Sequence, residues 1–226
     1  YEDKYFCGQT VCANIFKAGD SFNYGDFLYA GRNAPTTTTG RISGDLYGSH
    51  TWSGGEWSLS GDVRVYGDFT IEPSTTIIGN SHGIITTGLS PGAPTFSLTI
   101  EGATIQGSAY LTIGNGPVSI KNTLFDNDWT HIRINNAVAP IFHGNRTGNT
   151  GNGYVELAPS DWQGDLRITD NTITKLNIKL MTKGVESLLI ENNTLDGISF
   201  DNYSVEQLGF NGNAVIRNNV INNNDT

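Results

Sequence analysis

Apolar and polar residues alternate in short segments along most of this chain, and seven of the segments resemble one another. In chain order they read TTIIGNSHGI, SLTIEGATIQ, PVSIKNTLFD, APIFHGNRTG, DLRITDNTIT, SLLIENNTLD and NAVIRNNVIN. Alternation with a period of two is typical of β-strands. The copies recur every 20 to 26 residues, a spacing at which each unit buries its apolar side against its neighbours. The pattern therefore predicts an array of stacked short strands.

The copies align two columns of residues. The apolar column is Ile78, Ile100, Ile120, Phe142, Ile168, Ile190 and Ile216. The second column, two positions later, is Asn80, Gly102, Asn122, Gly144, Asp170, Asn192 and Asn218. Alternation also predicts that Leu188, Ile190 and Leu195 point inward, together with the equivalent Leu98, Ile100 and Ile105 and Leu166, Ile168 and Ile173. Stacking of these side chains from coil to coil would supply the core.

The second column predicts a corner in each coil. A sharp corner leaves backbone groups unpaired, and a buried unpaired amide costs about 1–3 kcal/mol. Asparagine can bond to the coils above and below, and it tolerates the left-handed backbone of a tight corner. We therefore predict a structural ladder, with ligand binding as the alternative role, formed by Asn80, Asn122, Asp170, Asn192 and Asn218.

The Asn column, the Ile-x-Asn-Asn-x-Ile pattern and the coil length resemble the right-handed parallel β-helix superfamily, the pectin-lyase-like fold. The segment from Trp52 to Ile78 also resembles openings of secreted β-helix proteins. The resemblance implies an all-β, right-handed, single-stranded parallel β-helix over residues 46–226. Residues 1–45 do not repeat and are predicted to cap the first coil, because an open solenoid end exposes unpaired strand edges. An attachment or oligomerisation segment is the alternative, and residues 11–16 are predicted to form one helical turn.

Composition narrows the function classes. The 226 residues carry a net charge of −9, which argues against a nucleic-acid partner, because phosphate binding needs clustered Lys and Arg. The sequence contains no run of 18 apolar residues, so no membrane-spanning helix is predicted. Only 15% of residues are charged, and the polar, lysine-poor composition indicates an extracellular location at a cell or virion surface. The chain opens at Tyr1, as expected after removal of a signal segment or at a chosen boundary.

Two cysteines, Cys7 and Cys12, lie close together near the first residue. In an extracellular protein they are expected to form a disulfide, with two unpaired thiols as the alternative. A zinc site is not expected, because no second Cys or His pair lies nearby at ligand spacing.

The densest group of reactive side chains is the segment from Phe125 to Arg133. Candidate catalytic residues there and further on are Asp126, Asp128, His131, Arg133, Asp161 and Asp165, with Glu156 between them. Trp129 and Trp162 are candidates for stacking on a sugar ring. Carboxyl groups on neighbouring coils, about 4.8 Å apart, approach the separation of roughly 5–9.5 Å that glycoside hydrolysis needs. The alternative is that these residues form turns and bond locally.

Calcium is the one metal that the sequence suggests, at Asp126 and Asp128, and no other cofactor is expected. The complete motifs expected of a polygalacturonase or a pectate lyase are missing. We therefore expect a non-catalytic structural β-helix, a surface, sheath, fibre or adhesin component that contacts carbohydrate and assembles end to end. The alternative is a carbohydrate-active enzyme, such as a polysaccharide lyase, hydrolase or epimerase or a viral tailspike depolymerase.

Four N-x-Ser/Thr sequons begin at Asn145, Asn192, Asn202 and Asn224. Because Asn192 belongs to the predicted ladder, it is expected to carry no glycan, whereas Asn145 and Asn202 are glycosylation candidates. Two further tryptophans, Trp52 and Trp57, are expected to cover a cap or a loop, with an exposed carbohydrate-binding strip as the alternative.

Overall fold

A computed structural model describes residues 4–8, 11–16, 40–86, 95–114, 116–126, 129–135, 137–148, 153–160, 164–180, 187–202 and 213–222. These ranges contain β-strands and no helix. In chain order the strands are β1 Lys4–Gly8, β2 Val11–Phe16, β3 Gly40–Tyr47, β4 His50–Trp52, β5 Glu56–Tyr66, β6 Phe69–Ile71, β7 Thr76–Ile78, β8 His82–Thr86, β9 Leu98–Glu101, β10 Thr104–Gln106, β11 Ala109–Gly114, β12 Pro117–Lys121, β13 Leu124–Asp126, β14 Trp129–Asn135, β15 Val138–His143, β16 Arg146–Thr147, β17 Tyr154–Ser160, β18 Asp165–Thr169, β19 Thr172–Leu180, β20 Ser187–Glu191, β21 Thr194–Asn202, β22 Asn213–Arg217 and β23 Val220–Ile221.

The strands wind into a parallel β-solenoid of about six turns with three faces. Face A is an eight-stranded sheet of β4, β6, β9, β12, β15, β18, β20 and β22. Face B comprises the first part of β5, then β7, β10, β13, β16, the first parts of β19 and β21, and β23. Face C comprises the second part of β5, then β8, β11, β14, β17 and the second parts of β19 and β21. The predicted all-β, parallel β-helical fold is confirmed.

The inward apolar column on face A is continuous from coil to coil. Strand register places Trp52, Ile71, Ile100, Ile120, Phe142, Ile168, Ile190 and Ile216 in one row. Ile100, Ile168 and Ile190 are fully buried, as the alternation predicted. The alignment of Ile78 with this row was wrong, because Ile78 pairs with Gln106 on face B and Ile71 occupies the place on face A.

The corner between faces A and B has the left-handed backbone that the second column predicted. Its residues have φ of 61° at Gly102, 50° at Asn122, 63° at Gly144, 58° at Asp170, 57° at Asn192 and 55° at Asn218. Asn80 also has a positive φ, but it lies at the corner between faces B and C, after β7. The predicted ladder therefore combines residues of two different corners.

The buried asparagine ladder lies one residue further along the chain than predicted. Its members are Asn145, Asn171, Asn193 and Asn219. The Nδ2 groups of Asn145, Asn171 and Asn193 each donate to the Oδ1 of the next member, at 3.1, 2.9 and 2.9 Å in turn. The Oδ1 atoms of the four members accept the backbone N–H groups of Thr123, Asn145, Asn171 and Asn193, respectively, at 2.8–3.0 Å. Asn122 and Asn192 instead point outward and bond to neighbouring acidic side chains.

Aromatic rings close the interior at the N-terminal end of the solenoid. Trp52 and Trp57 are 0% and 4% exposed and stack with ring centroids 4.6 Å apart. Phe69 meets Trp52 edge to face at 4.9 Å. Beside them, burial lowers the pKa of His50, while a hydrogen bond between its Nε2 and the carbonyl of Tyr47 acts in the opposite direction. These two tryptophans cover the core and form no exposed strip.

The first described residues form a separate antiparallel hairpin of β1 and β2, in which Cys7 and Cys12 are cross-strand partners. The disulfide between them stays a prediction. The helical turn predicted over residues 11–16 was wrong, because these residues form β2. Since β3 already pairs in parallel with β5, the predicted domain boundary between residues 45 and 46 falls within a strand of the solenoid.

Candidate functional site on face C

A row of outward polar side chains crosses adjacent strands of face C. Strand register places Tyr110 of β11, His131 of β14, Glu156 of β17 and Asn177 of β19 in one row. Their neighbours along each strand, such as Thr130 and Ile132, point into the core, so the alternation of the strands turns this row outward. Neighbouring members are about 4.8 Å apart at the backbone because the strands are parallel and in register.

His131 and Glu156 form the charged centre of the row. His131 Nε2 lies 3.2 Å from Glu156 Oε1. The two side chains are 28% and 8% exposed, so the carboxylate is nearly covered although it points away from the core. A carboxylate next to an imidazole fixes the orientation of the ring and is stabilised when the ring is protonated.

Hydrogen bonds extend the centre to two further residues. The hydroxyl of Tyr154 donates to Glu156 Oε2 at 3.4 Å, and Asn177 Nδ2 donates to the same hydroxyl at 2.8 Å. Asn177 is 5% exposed. The strands β14, β17 and β19 thus hold one connected polar network, and its fixed backbone positions restrict the directions in which donors and acceptors point.

Two half-buried aromatic rings border the network. The rings of Trp129 and Tyr110 meet edge to face, with centroids 5.4 Å apart and planes at 84°. Trp129 also lies beside His131, with ring centroids 5.6 Å apart. We call the six residues Tyr110, Trp129, His131, Tyr154, Glu156 and Asn177 the face C cluster. Aromatic surface next to fixed hydrogen-bonding groups is the combination that holds polyhydroxylated rings in an orientation.

The structure brings together only part of the predicted candidate set. His131, Trp129 and Arg133 point outward from β14, and β17 lies beside that strand as the prediction required. Asp126 ends β13 on face B, and Asp165 begins β18 on face A. These two acids therefore do not share a face with the cluster.

Asp165 has local partners instead. It accepts hydrogen bonds from Ser187 Oγ on the next coil and from Arg167 Nη2, the latter at 2.9 Å. These two bonds hold the pKa of Asp165 below its usual range, and the bond from Ser187 has the larger effect. Asp165 fits the alternative of a locally bonded surface residue.

Several predictions lie outside the described residues, namely those for Asp128, Asp161 and Trp162. The calcium site at Asp126 and Asp128 therefore stays a prediction. Within the described ranges no three His, Cys, Asp or Glu side chains are grouped as metal ligands. The described part of the chain also contains no helix of the length and apolarity that crossing a membrane requires.

The contributions of Tyr110, Tyr154 and Asn177 were missed from the sequence. Tyr110 lies 21 positions before His131, Asn177 lies 21 positions after Glu156, and Tyr154 lies two positions before Glu156; none of the three belongs to a motif. Strand register is the signal that could have found them. An alignment of the strands that follow the corner between faces B and C places four residues in one row, namely Tyr110, His131, Glu156 and Asn177.

No family model, no curated protein and no solved structure matches this chain. The likeness to the pectin-lyase-like superfamily therefore remains a resemblance in sequence pattern and coil architecture. The evidence for function therefore comes from the solenoid and the face C cluster.

Proposed function

We propose that this protein is a non-catalytic extracellular β-helix, a rigid surface or fibre component that binds a saccharide on face C. The face C cluster is the observation that carries the proposal. Trp129 and Tyr110 offer ring surface for the apolar face of a sugar, and Glu156 with its partners offers hydrogen bonds to hydroxyl groups. An extracellular surface location is part of the proposal and rests on the polar, lysine-poor composition.

The sheet supports binding through preorganisation. The six side chains of the cluster come from β11, β14, β17 and β19, which pair in parallel without a break. Residues held on strands lose little conformational entropy when a ligand binds, so a few contacts suffice for measurable affinity. A saccharide that spans more than one coil would meet the aromatic pair and the polar network together.

Replacing Trp129 by Ala is expected to weaken saccharide binding about tenfold, since loss of an aromatic contact of about 1.4 kcal/mol corresponds to that factor. Titration calorimetry with a panel of neutral and acidic oligosaccharides measures the affinity. Tyr66→Ala is the matched control, because Tyr66 also points outward on face C but stacks on Tyr47, away from the cluster. Absence of binding across the panel, or equal loss in both variants, would reject the proposal.

A carbohydrate-active enzyme is the second candidate, and the pair of Glu156 and His131 favours it. A carboxylate that orients an imidazole is an arrangement used for general acid–base catalysis. The calorimetry samples, incubated with and without calcium, distinguish the two functions. New reducing ends, unsaturated products or a changed uronic acid composition would replace the binding function by catalysis.

Self-association through the last described coil is the second part of the proposal. Exposed apolar side chains concentrate there, at 43% for Val215, 52% for Ile216, 54% for Val220 and 47% for Ile221. Burial of these apolar side chains against a second copy would remove them from water, which supports the self-association expected from the sequence.

Ile216→Asp is expected to shift a concentration-dependent dimer towards monomer by at least about tenfold in the dissociation constant, since it places a charge in an apolar contact. Sedimentation velocity over a range of protein concentrations measures the shift. Val138→Asp, at a 40% exposed position on face A, is the control and should leave association unchanged. A wild-type chain that sediments as a monomer throughout would contradict this part of the proposal.

A further inference from the structure

Asn192 begins a sequon at the outer corner between faces A and B. The sequon is Asn192-Asn193-Thr194, which connects β20 to β21. Asn192 and Thr194 are exposed, whereas Asn193 between them is 1% exposed and belongs to the buried ladder. The left-handed backbone at Asn192, with φ of 57°, turns its side chain away from the core. The modifiable amide and the hydroxyl therefore both face solvent.

The second described sequon, at Asn145, has the opposite environment. Asn145 is 1% exposed. Its Nδ2 donates to the carbonyl of Ile120 at 3.0 Å and to Asn171 Oδ1 at 3.1 Å, so both amide hydrogens are used inside the solenoid. A glycan on Asn145 would break the ladder, and the sequence-based choice of Asn145 as a glycan site is corrected. The side chain of Asn202 and all of Asn224 lie outside the described part of the chain.

The surroundings of Asn192 leave space for a sugar. The neighbouring coils present Asp170 and Asn218 at the same corner, and both are exposed. One hydrogen bond restrains the side chain, from Asn192 Nδ2 to Asp170 Oδ1 at 3.3 Å, near the upper limit for an N–H···O bond. A glycosylated amide nitrogen keeps one hydrogen, so this bond can persist after modification.

We propose that Asn192 is an acceptor for N-linked glycosylation. The donor is a lipid-linked oligosaccharide diphosphate used by a host transferase. A bond forms between Asn192 Nδ2 and the anomeric carbon of the sugar, the diphosphate leaves with the electron pair of its bond to that carbon, and the amide gives up one proton to a base of the transferase. The inference rests on the extracellular route contained in the proposed function.

The position of the glycan is compatible with the face C cluster. The three faces form a triangle in cross-section, and the corner that carries Asn192 joins faces A and B. This corner is the one that does not border face C. A glycan there would cover the outer corner column while leaving Trp129 and His131 accessible to a saccharide ligand.

Expression of the full chain in a secreting eukaryotic cell line tests the proposal, with a second sequon added in a flexible C-terminal tag as an internal standard. Peptide mapping after enzymatic deglycosylation, which converts a modified Asn to Asp, reports each site. We expect occupancy at Asn192 and at the tag and none at Asn145 in folded, secreted protein. Asn192→Gly, which retains the left-handed corner, and Thr194→Ala should each abolish the signal at residue 192.

Secreted protein with an occupied tag and an empty Asn192 would overturn the proposal, as would a glycan on Asn145 in folded protein. Saccharide binding is measured separately on chain made in bacterial cytoplasm, which carries no such glycan. A failure of saccharide binding there affects the proposed function alone, and an empty Asn192 affects the glycosylation site alone.

Discussion

Replacing Asn171 by Ala is expected to lower the free energy of unfolding by about 3–6 kcal/mol. Asn171 Oδ1 accepts from both the backbone N–H and the Nδ2 of Asn145, and its own Nδ2 donates to the carbonyl of Phe142 and to Asn193 Oδ1. Truncation removes these partners of the Asn145 N–H and the Phe142 carbonyl, at about 1–3 kcal/mol each. It also removes one of two bonds from Asn145 Nδ2 and from Asn193 Oδ1, which keep the Ile120 carbonyl and the Asn171 N–H as partners, at about 0.5–1.5 kcal/mol each.

Urea unfolding of the wild type and the variant measures the loss. Asn192→Gly is the matched control, because it removes an asparagine at an exposed corner while glycine accepts the same φ. We expect the control to stay within about 0.5 kcal/mol of the wild type. If the two variants lost similar stability, the buried ladder would not be the feature that holds the coils in register.

The second large effect is expected at Gly67, which follows β5 and is buried against the preceding coil. A Cβ at this position would lie 2.1 Å from the carbonyl oxygen and 2.2 Å from the carbonyl carbon of Gly48. Both are backbone atoms that cannot rotate away, so the coils would have to separate. Gly67→Ala should therefore cost about 3 kcal/mol or more, at the upper end of overpacking effects.

Gly48→Ala provides the comparison for Gly67. A Cβ on Gly48 would meet no atom within 4 Å, although φ of 85° is unfavourable for alanine. This variant should lose about 1–2 kcal/mol, from backbone strain alone. Thermal unfolding of both proteins under the same conditions separates the steric contribution from the conformational one, and a ranking with Gly48→Ala as the more damaging change would contradict the close packing.

The fold was predictable because alternation and repetition are both local. Ile100, Ile168 and Ile190 could be placed inward from a period of two, and the coil length required parallel pairing. The failure at Ile78 has a physical cause. Any tight corner favours Asn or Gly at a positive φ, so the sequence Ile78-Gly79-Asn80 marks a corner without saying which corner it is.

The position of the hydrogen-bonded ladder was missed for a related reason. Asn192 and Asn193 are the same residue type, and consecutive side chains of a strand point to opposite faces. The sequence therefore does not show which of the two asparagines points inward. The following Thr194 and Leu195, exposed and buried respectively, restore the alternation after the corner. Only the geometry of the corner decides which asparagine turns inward.

The face C cluster could be predicted only in part. Trp129 and His131 stood out because they lie in one short segment with acids. Pairing of β14 with β17 on the next coil brings their partners Glu156 and Tyr154 beside them. The number of residues in a coil varies along the chain, so this pairing cannot be found by a fixed spacing. Register across loops of unequal length depends on tertiary packing, which a single sequence does not specify.

The amides of Asn145, Asn171 and Asn193 each donate forward to the Oδ1 of the next coil and back to a backbone carbonyl of the preceding coil. Each coil therefore presents the same pattern of hydrogen-bond donors and acceptors to its successor. Duplication of a whole coil at this seam would conserve every donor and acceptor, whereas insertion of a fraction of a coil would break the polarity. The length of such a protein can thus change in evolution, or by engineering, in modules of one complete coil.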